Sequence, residues 1–233
     1  MAEAENDPRA PAVHVADSQT EGVGRRGRRW MSPPGNLYAT IVWPQPEDPA
    51  PGLLAAIQVA WVETVAGAGG PHTLCKWPND GIVEGGKWAG ALARRAGGRL
   101  LLGLGANLEQ APAELGEGSE PRGTLPARAL ADHWRPWPGL GTVACLLLAG
   151  ALDVLREGPA GVAARLARWP LHDALAPGEE IRVETPDATR EGRYLGVAPD
   201  GRLRLEADGA LVLLAAGDVA RLRARSAPRP PLS

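Results

Sequence analysis

The chain has 233 residues, 44% of them hydrophobic and 22% charged, with a formal net charge of −2. This length allows either one large domain or a main domain with a smaller one. The nearly balanced charge excludes a protein that binds nucleic acid over its whole surface. The two cysteines, Cys75 and Cys145, form no C-x-x-C pattern, which disfavours a zinc site or a disulfide framework and fits a reducing compartment.

The first ten residues are acidic and polar, so they do not resemble a signal peptide and are expected to be disordered. No apolar run reaches the roughly 18 residues that a membrane span requires. We therefore expect a cytoplasmic protein without a membrane-spanning segment.

Hydrophobic periodicity and turn residues predict both helices and strands. In chain order they predict strands at 13–17 and 37–43, a helix at 52–65, a strand–turn–strand from residue 74, a hairpin of strands 87–94 and 99–105, a loop at 109–125, a short helix at 127–134, and helices at 143–156 and 161–169. After Pro177, short strands separated by Asp-Gly turns predict a small β-barrel, and a Pro-rich tail follows it.

The segment Glu21–Asn36, called the basic loop below, places four arginines and three glycines before Trp30. Arginine suits phosphate or carboxylate, glycine lets backbone N–H groups approach a ligand, and an indole offers a flat face to a ring. Four arginines cannot be buried unpaired, so the loop is either solvated or binds an anion. For the loop considered alone, solvation is the simpler interpretation.

Three further segments place glycines or polar side chains at predicted strand ends. Lys76–Asp80 (KWPND) combines a cation, an amide and a carboxylate, which suits phosphate and Mg²⁺ but also suits a plain Asn-Asp-Gly turn. Gly81–Lys87 matches the start of a P-loop, but Trp88 replaces the Ser or Thr that binds Mg²⁺, and a strand is predicted where a helix should begin. Gly103–Asn107 (GLGAN) ends a strand with two glycines and an amide.

The four histidines are scattered, and no Ser-His-Asp or Cys-His arrangement suggests a covalent nucleophile. Cations and glycines without a nucleophile favour a reaction that is catalysed by positioning and charge stabilisation. Activation of a carboxylic acid on the α-phosphate of ATP is such a reaction.

In order and spacing, these segments resemble the biotin–protein ligases. The matching set runs from SQTEGVGRRGRRWMSPPGNLYATI through KWPND and GKWAGAL to GLGANL, with Lys87 eleven residues after Lys76. The resemblance implies an α+β fold, with a mixed β-sheet and packing helices in a biotin/lipoate ligase-like catalytic domain plus a small C-terminal SH3-like β-barrel. It implies a catalytic domain at 11–175, the barrel at 176–224 and a disordered tail at 225–233.

The resemblance also implies an activity. Such enzymes use ATP and Mg²⁺ to convert biotin to biotinyl-5′-AMP, and then transfer biotin to a lysine of a biotin carboxyl carrier protein or domain of a biotin-dependent carboxylase. A homodimer is compatible with the family. No helix-turn-helix pattern precedes the catalytic segments, so no DNA-binding domain is expected.

Roles for individual residues follow from the same resemblance. Arg25 and Lys87 would be the catalytic residues. The biotin side would consist of Gln19, Gly24, Arg25, Lys87 and Gly90. The nucleotide side would consist of Arg28, Trp30, Lys76, Asn79 and Asn107, with Asp80 as a metal ligand.

Two departures from the family pattern affect these expectations. Val23 replaces the first Arg of the usual Gly-Arg-Gly-Arg, which predicts a looser loop. The family also carries a longer N-terminal segment with a Ser-Thr-Asn motif that contacts biotin. Either the chain start is assigned too far downstream or part of the biotin pocket is lost.

The sequence leaves three alternatives to biotin ligation. Lipoate ligases share the catalytic fold, but the KWPND and GRRGR segments favour biotin. A degenerate homologue would bind a nucleotide or carrier without turnover. RNA binding by the basic loop is disfavoured because the sequence has one basic cluster without interleaved aromatic residues.

Overall fold

The computed structural model describes residues 2–5, 9–45, 48–112 and 125–222. Its helices are α1 (Ala2–Glu5), α2 (Leu53–Gly67), α3 (Leu140–Leu166) and α4 (Trp169–His172). The strands of the main sheet are β1 (Ala12–Ala16), β2 (Leu37–Pro44), β3 (Leu74–Lys76), β4 (Asp80–Val83), β5 (Gly86–Ala96) and β6 (Arg99–Ala106). Those of the C-terminal sheet are β7 (Glu180–Glu184), β8 (Thr189–Val197), β9 (Leu203–Ala207), β10 (Ala210–Leu214) and β11 (Asp218–Arg221).

The two sheets confirm the predicted α+β class. The main sheet has the strand order β1-β2-β6-β5-β4-β3, and the C-terminal sheet has the order β10-β9-β8-β7-β11. Every strand pair in both sheets is antiparallel. Among the residues that the structure describes, the parallel pairing expected of a mixed sheet is confined to two isolated bridges, Cys75 with Asp173 and Lys87 with Ala127.

Helices cover one face of the main sheet. The predicted helix at 52–65 is confirmed as α2, which is buried along most of its length because it lies between the sheet and α3. The Trp61 indole donates a hydrogen bond to the Leu147 carbonyl 2.8 Å away, so its polar group is satisfied inside the core. Ala89 and Ala91 of β5 belong to this core, so the alternate residue Gly90 faces the opposite side of the sheet.

The helical predictions after residue 126 are confirmed in part. The helices predicted at 143–156 and 161–169 are present as the two helical segments of α3, which a break at Gly158, where φ is +61°, separates before Pro159. The second segment ends at Leu166 and not at 169, and Pro170 lies in the first turn of α4, where its missing N–H costs nothing. The helix predicted at 127–134 is reduced to a 3₁₀ turn at Leu130–Asp132.

The chain start also differs from its prediction. The disorder expected for 1–10 is wrong at Ala2–Glu5, which form a single helical turn. Ala4 is buried in a small cluster with Val42 and Leu101 on the face opposite the main core, and this contact explains why the turn is held. The predicted tail at 225–233 lies outside the described residues, and the other domain boundaries remain predictions.

The C-terminal sheet packs directly against the main sheet, and one core continues through both. Gly201 lies against Gly52 at the start of α2, and the Trp77 indole donates to the Gly201 carbonyl at 2.9 Å. The Asp173 carboxylate accepts hydrogen bonds from the Trp169 indole at 2.7 Å and from the Tyr194 hydroxyl. These contacts fix where β7 and β11 lie relative to the basic loop.

No helix among the described residues is long and apolar enough to cross a membrane.

The Gly201 contact predicts a stability effect. Gly201 has φ +81°, and a Cβ there would lie 2.2 Å from Gly52 Cα. We expect Gly201→Ala to lower the free energy of unfolding by about 3 kcal/mol, through overpacking added to the strain of a positive φ. Urea denaturation measures this loss.

Gly209→Ala is the matched control, because Gly209 has φ +74° with no other atom within 4 Å of its would-be Cβ. The Gly209→Ala variant has the backbone strain without the clash, so its free energy of unfolding should fall by about 1 kcal/mol. Equal losses in the two variants would contradict the importance of the contact between the sheets.

Candidate active site

The basic loop is an ordered turn. The Gly24 N–H donates to the Arg28 carbonyl at 2.7 Å, and the Trp30 N–H donates to the Gly22 carbonyl at 2.8 Å. A Cβ at Gly22 would lie 2.3 Å from the Trp30 carbonyl oxygen, so this close approach requires glycine. The backbone therefore closes the loop into a short hairpin and projects its arginine side chains outwards.

Val23 does not interrupt this hairpin. It forms an isolated antiparallel bridge with Arg29 through the backbone, and its side chain is 61% exposed. The loss of an arginine at this position predicted a looser loop, and this stays a prediction. The backbone hydrogen bonds that close the hairpin do not involve the side chain of residue 23.

Arg25 points from the loop into the space between the two sheets. Its Nη1 donates to Asn79 Oδ1 at 3.1 Å, to the Gly217 carbonyl at 3.2 Å and to Asp218 Oδ1 at 3.3 Å. Arg28 pairs with the same Asp218 carboxylate. Two residues predicted to bind ligand, Arg25 and Asn79, are thus in direct contact.

Burial changes the pKa of two cations at this site. It lowers the pKa of the Arg25 guanidinium, and the carboxylates of Asp218 and Asp80 offset part of that effect. Burial also lowers the pKa of the Lys76 ammonium, again opposed by Asp80. Cations held in a partly dry site attract an anion more strongly than cations in open solvent do.

Lys87 lies on β5 at the face of the main sheet opposite the helices. Its Nζ is 2.5 Å from Asp80 Oδ1 and 5.2 Å from the centroid of the Trp30 ring. A Cβ at Gly90 would lie 3.3 Å from Lys87 Nζ, so the glycine leaves room for the lysine to lie along the strand. Lys87, Trp30 and Gly90 therefore form one contact group.

Two paired glycines make a flat platform beneath Trp30. Gly90 and Gly105 are partners in the β5–β6 register. A Cβ at Gly105 would lie 3.0 Å from the Trp30 indole, and one at Gly90 would lie 3.5 Å from it. The missing side chains let an aromatic ring lie directly on the backbone of the sheet.

Asn79 and Asn107 are both buried beside this platform, in different ways. The Asn79 side-chain amide donates to the Ala91 carbonyl at 2.8 Å, which holds its Oδ1 towards Arg25. The Asn107 side-chain amide approaches the Lys87 carbonyl at 3.5 Å. Its Oδ1 is buried and accepts no hydrogen bond within the described part of the chain, so it is an available acceptor.

Gln19 shares a cleft with Trp30. Ser32 Oγ donates to Gln19 Oε1 at 2.9 Å. Both residues line an open cleft of about 260 Å³. Its lining consists of Gln19, Thr20, Arg29, Trp30, Met31, Ser32, Pro33 and Pro112. The cleft reaches the Trp30 end of the predicted site, whereas Lys76, Lys87 and Asn79 are not part of its lining.

Two signals bearing on the site were missed by the sequence interpretation. The chain contains only two lysines, Lys76 and Lys87, and both lie in the predicted site. Counting lysines would have revealed this. Asp218, by contrast, has no local signal, because it becomes relevant only when β11 meets the basic loop.

Asn36 is the second residue, after Asp218, that the sequence interpretation missed. Its Oδ1 accepts from the Leu108 N–H at 2.7 Å and the Gln110 N–H at 3.2 Å, and its Nδ2 donates to the Gln110 carbonyl at 3.0 Å. It thereby ties the end of the basic loop, which carries Trp30, to the segment after β6, which carries Asn107.

Comparison with known proteins places this geometry in a family. The model of the biotin/lipoate A/B protein ligase family matches residues 3–108, and that of the biotin protein ligase C-terminal domain matches residues 178–222. A biotin–[acetyl-CoA-carboxylase] ligase of Mycobacterium tuberculosis is 33% identical over 229 residues, covering 91% of this chain and 79% of the relative. The chain belongs to the biotin–protein ligase family.

Two other comparisons agree with membership of the biotin–protein ligases. A biotin–[acetyl-CoA-carboxylase] ligase of Paracoccus denitrificans is 31% identical over 218 residues, covering 88% of each chain. The structure of a biotin protein ligase from Aquifex aeolicus in complex with biotin and ATP superposes with a TM-score of 0.81, covering 95% of this chain and 94% of that one. At 20% identity, this last likeness shows the shared fold.

Asn36 provides a test of how the site is held in this biotin–protein ligase. We expect Asn36→Ala to lower the free energy of unfolding by about 3 kcal/mol, because buried backbone groups lose their partners. Gln110→Ala is the control, since Gln110 takes part through its backbone N–H and carbonyl, which alanine retains. A urea midpoint for Asn36→Ala equal to that of Gln110→Ala would refute the tethering role.

Proposed function

We propose that the chain is a biotin–protein ligase that converts biotin and ATP to biotinyl-5′-AMP and pyrophosphate, and then transfers biotin to a lysine of a biotin carboxyl carrier protein. The observation that carries this proposal is the contact group of Lys87, Trp30 and Gly90 beside Arg25 and Asn79, in a chain of this family. The names of the relatives support biotin as the substrate.

Adenylation requires a biotin carboxylate oxygen to attack the α-phosphate, with pyrophosphate leaving. The attack brings two anions together, so positive groups near the new bond stabilise the transition state. Lys87 and Arg25 are the catalytic residues in this proposal, since both project from backbone that is fixed by strand pairing or by loop hydrogen bonds. No residue of the protein needs to form a covalent intermediate.

The Asp80 carboxylate has a positioning role towards Lys87. At 2.5 Å from Nζ, it directs the ammonium along β5. Arg28 and Lys76 add positive charge for the phosphates, and Asn79 and Asn107 offer amide groups to the nucleotide. These assignments rest on the placement of the residues and on the family resemblance.

We assign the biotin side to Gln19, Gly24 and Gly90, together with Arg25 and Lys87. Trp30 was predicted to stack near adenine. Its contacts with Gly90 and Lys87 favour a place on the biotin side, or at the boundary between the two ligands. The Trp30 indole already lies on the platform of Gly90 and Gly105, so we assign the flat apolar surface for a compact ring system to Trp30 itself.

Mg²⁺ would enter this site with the phosphates of ATP. No three carboxylate, histidine or cysteine side chains lie together within the described ranges, so the protein does not offer a complete cage. A single carboxylate such as Asp80, completed by phosphates and water, is a usual arrangement for Mg²⁺. When bound, the ion neutralises phosphate charge.

The partner and location follow from the same proposal. The acceptor would be the carrier protein or carrier domain of a biotin-dependent carboxylase, and a homodimer remains part of the proposal. Cys75 and Cys145 are both free thiols, which supports a reducing compartment such as the cytoplasm.

Lys87 provides the mechanistic test. We expect Lys87→Ala to reduce biotin-dependent ATP–pyrophosphate exchange by about 100-fold or more, the usual cost of removing one group that stabilises developing charge. Arg94→Ala is the control. It removes another cation of β5, which is paired with Glu5 and lies far from the site. An intact Lys87→Ala variant that exchanges at the wild-type rate would remove Lys87 from the mechanism.

The choice between biotin and lipoate is tested in the same assay. We expect exchange to depend on biotin, and an equal concentration of lipoate to leave the rate nearly unchanged, because the KWPND and GRRGR segments favour biotin. Exchange that depends on lipoate would identify a lipoate ligase. Nucleotide binding by calorimetry without any exchange would identify a non-catalytic homologue.

A further inference from the structure

Three guanidinium groups of the basic loop converge on one carboxylate of the C-terminal sheet. Asp218 is the first residue of β11. Its Oδ1 is 3.3 Å from Arg25 Nη1, its Oδ2 is 3.1 Å from Arg26 Nη1, and Oδ2 also contacts Arg28. Arg25 and Asp218 are 193 residues apart in the chain, so only tertiary packing brings them together.

Backbone groups of the same strands complete the contact. Arg25 also donates to the Gly217 carbonyl, and Arg26 donates to the Glu184 carbonyl. Asp218 and Glu184 are partners in the β7–β11 register. One short stretch of paired strands therefore receives three of the four arginines of the loop.

We propose that Asp218 is a positioning residue of the adenylation site, which holds the basic loop against the C-terminal sheet before any ligand binds. This inference rests on the proposed function and deepens it. Three like charges in one turn repel each other, and a shared carboxylate relieves that repulsion. Without Asp218, the loop would lose the group that keeps Arg25 and Arg28 aimed at the phosphates.

The arrangement leaves the loop able to bind an anion. One carboxylate neutralises one of the three guanidinium charges, so the cluster remains positive. All three bonds that Arg25 makes to Asn79, Gly217 and Asp218 use Nη1. A guanidinium has five N–H donors, so the Nη2 and Nε groups lie outside these bonds and can meet phosphate oxygens.

Limited trypsin digestion of the ligand-free protein tests whether the loop is held. Trypsin cuts after arginine, so peptides ending at residues 25–29 report on the exposure of the loop. We expect Asp218→Asn to be cut there about tenfold faster than wild type, because charge-assisted hydrogen bonds are lost. Asp218→Glu keeps the charge, so its cutting rate should lie between those of wild type and Asp218→Asn.

Glu184→Gln is the matched control. It removes an acidic side chain directly across the register from Asp218, but Glu184 meets the loop only through its backbone carbonyl. Its cutting rate should therefore stay within about twofold of wild type, since exposed charges contribute little.

Exchange kinetics test the positioning role. We expect Asp218→Asn to raise the KM for ATP about tenfold while kcat changes less than about threefold, since the lost interaction positions groups that bind phosphate. Transfer of biotin from preformed biotinyl-5′-AMP to a carrier should be nearly unchanged. Asp218→Glu should restore most of the KM.

The outcomes separate this inference from the proposed function. Equal trypsin rates for wild type and Asp218→Asn would overturn the inference, and so would faster cutting with an unchanged KM for ATP. A wild-type protein that shows no exchange would overturn the proposed function, and the trypsin comparison would then still decide whether Asp218 holds the loop. If Asp218→Asn does not fold, the same comparisons are made with Asp218→Glu.

Discussion

Charge balance in the basic loop is the constraint on which the site depends. The loop carries four arginines in five residues, and in this structure three of them reach Asp218 of the C-terminal sheet. A carboxylate shared in this way lets cations stay close together without closing them off from a phosphate. The C-terminal sheet therefore contributes a residue to the site that we propose. Its position is in turn set by uncharged contacts, chiefly Gly201 against Gly52 and the Trp77 indole on the Gly201 carbonyl.

A second requirement is a stretch of sheet without side chains on the face opposite the helices. Gly90 and Gly105 face each other across β5 and β6, and Trp30 lies on them. Any larger side chain at Gly105 would displace the indole. The helices on the other face make this possible, because Ala89 and Ala91 bury the same strand in the core and keep its backbone rigid. The same strand therefore provides both the packing that stabilises the sheet and the platform on which Trp30 lies.

Together these features fit a catalyst that works by placement of charge. Lys87 and Asp80 form one ion pair, and Arg25 is held by Asn79 and Asp218. Burial lowers the pKa of both Arg25 and Lys76, which is the cost of holding cations in a partly dry site. A bound polyphosphate would offset that cost. An acyl-adenylate reaction needs such positioned cations more than it needs a nucleophilic side chain.

The sequence by itself determined most of the elements and the family. Period-two and helical patterns located α2, the β5–β6 hairpin and most of the C-terminal strands, because these features are local. The ordered motifs identified the ligase resemblance, which the comparisons confirmed. Only the tertiary structure decided that Trp30 lies on Gly90 and Gly105, and that Asp218 meets the arginines. Such contacts join residues far apart in the chain, and their geometry depends on how whole sheets pack, which no local pattern encodes.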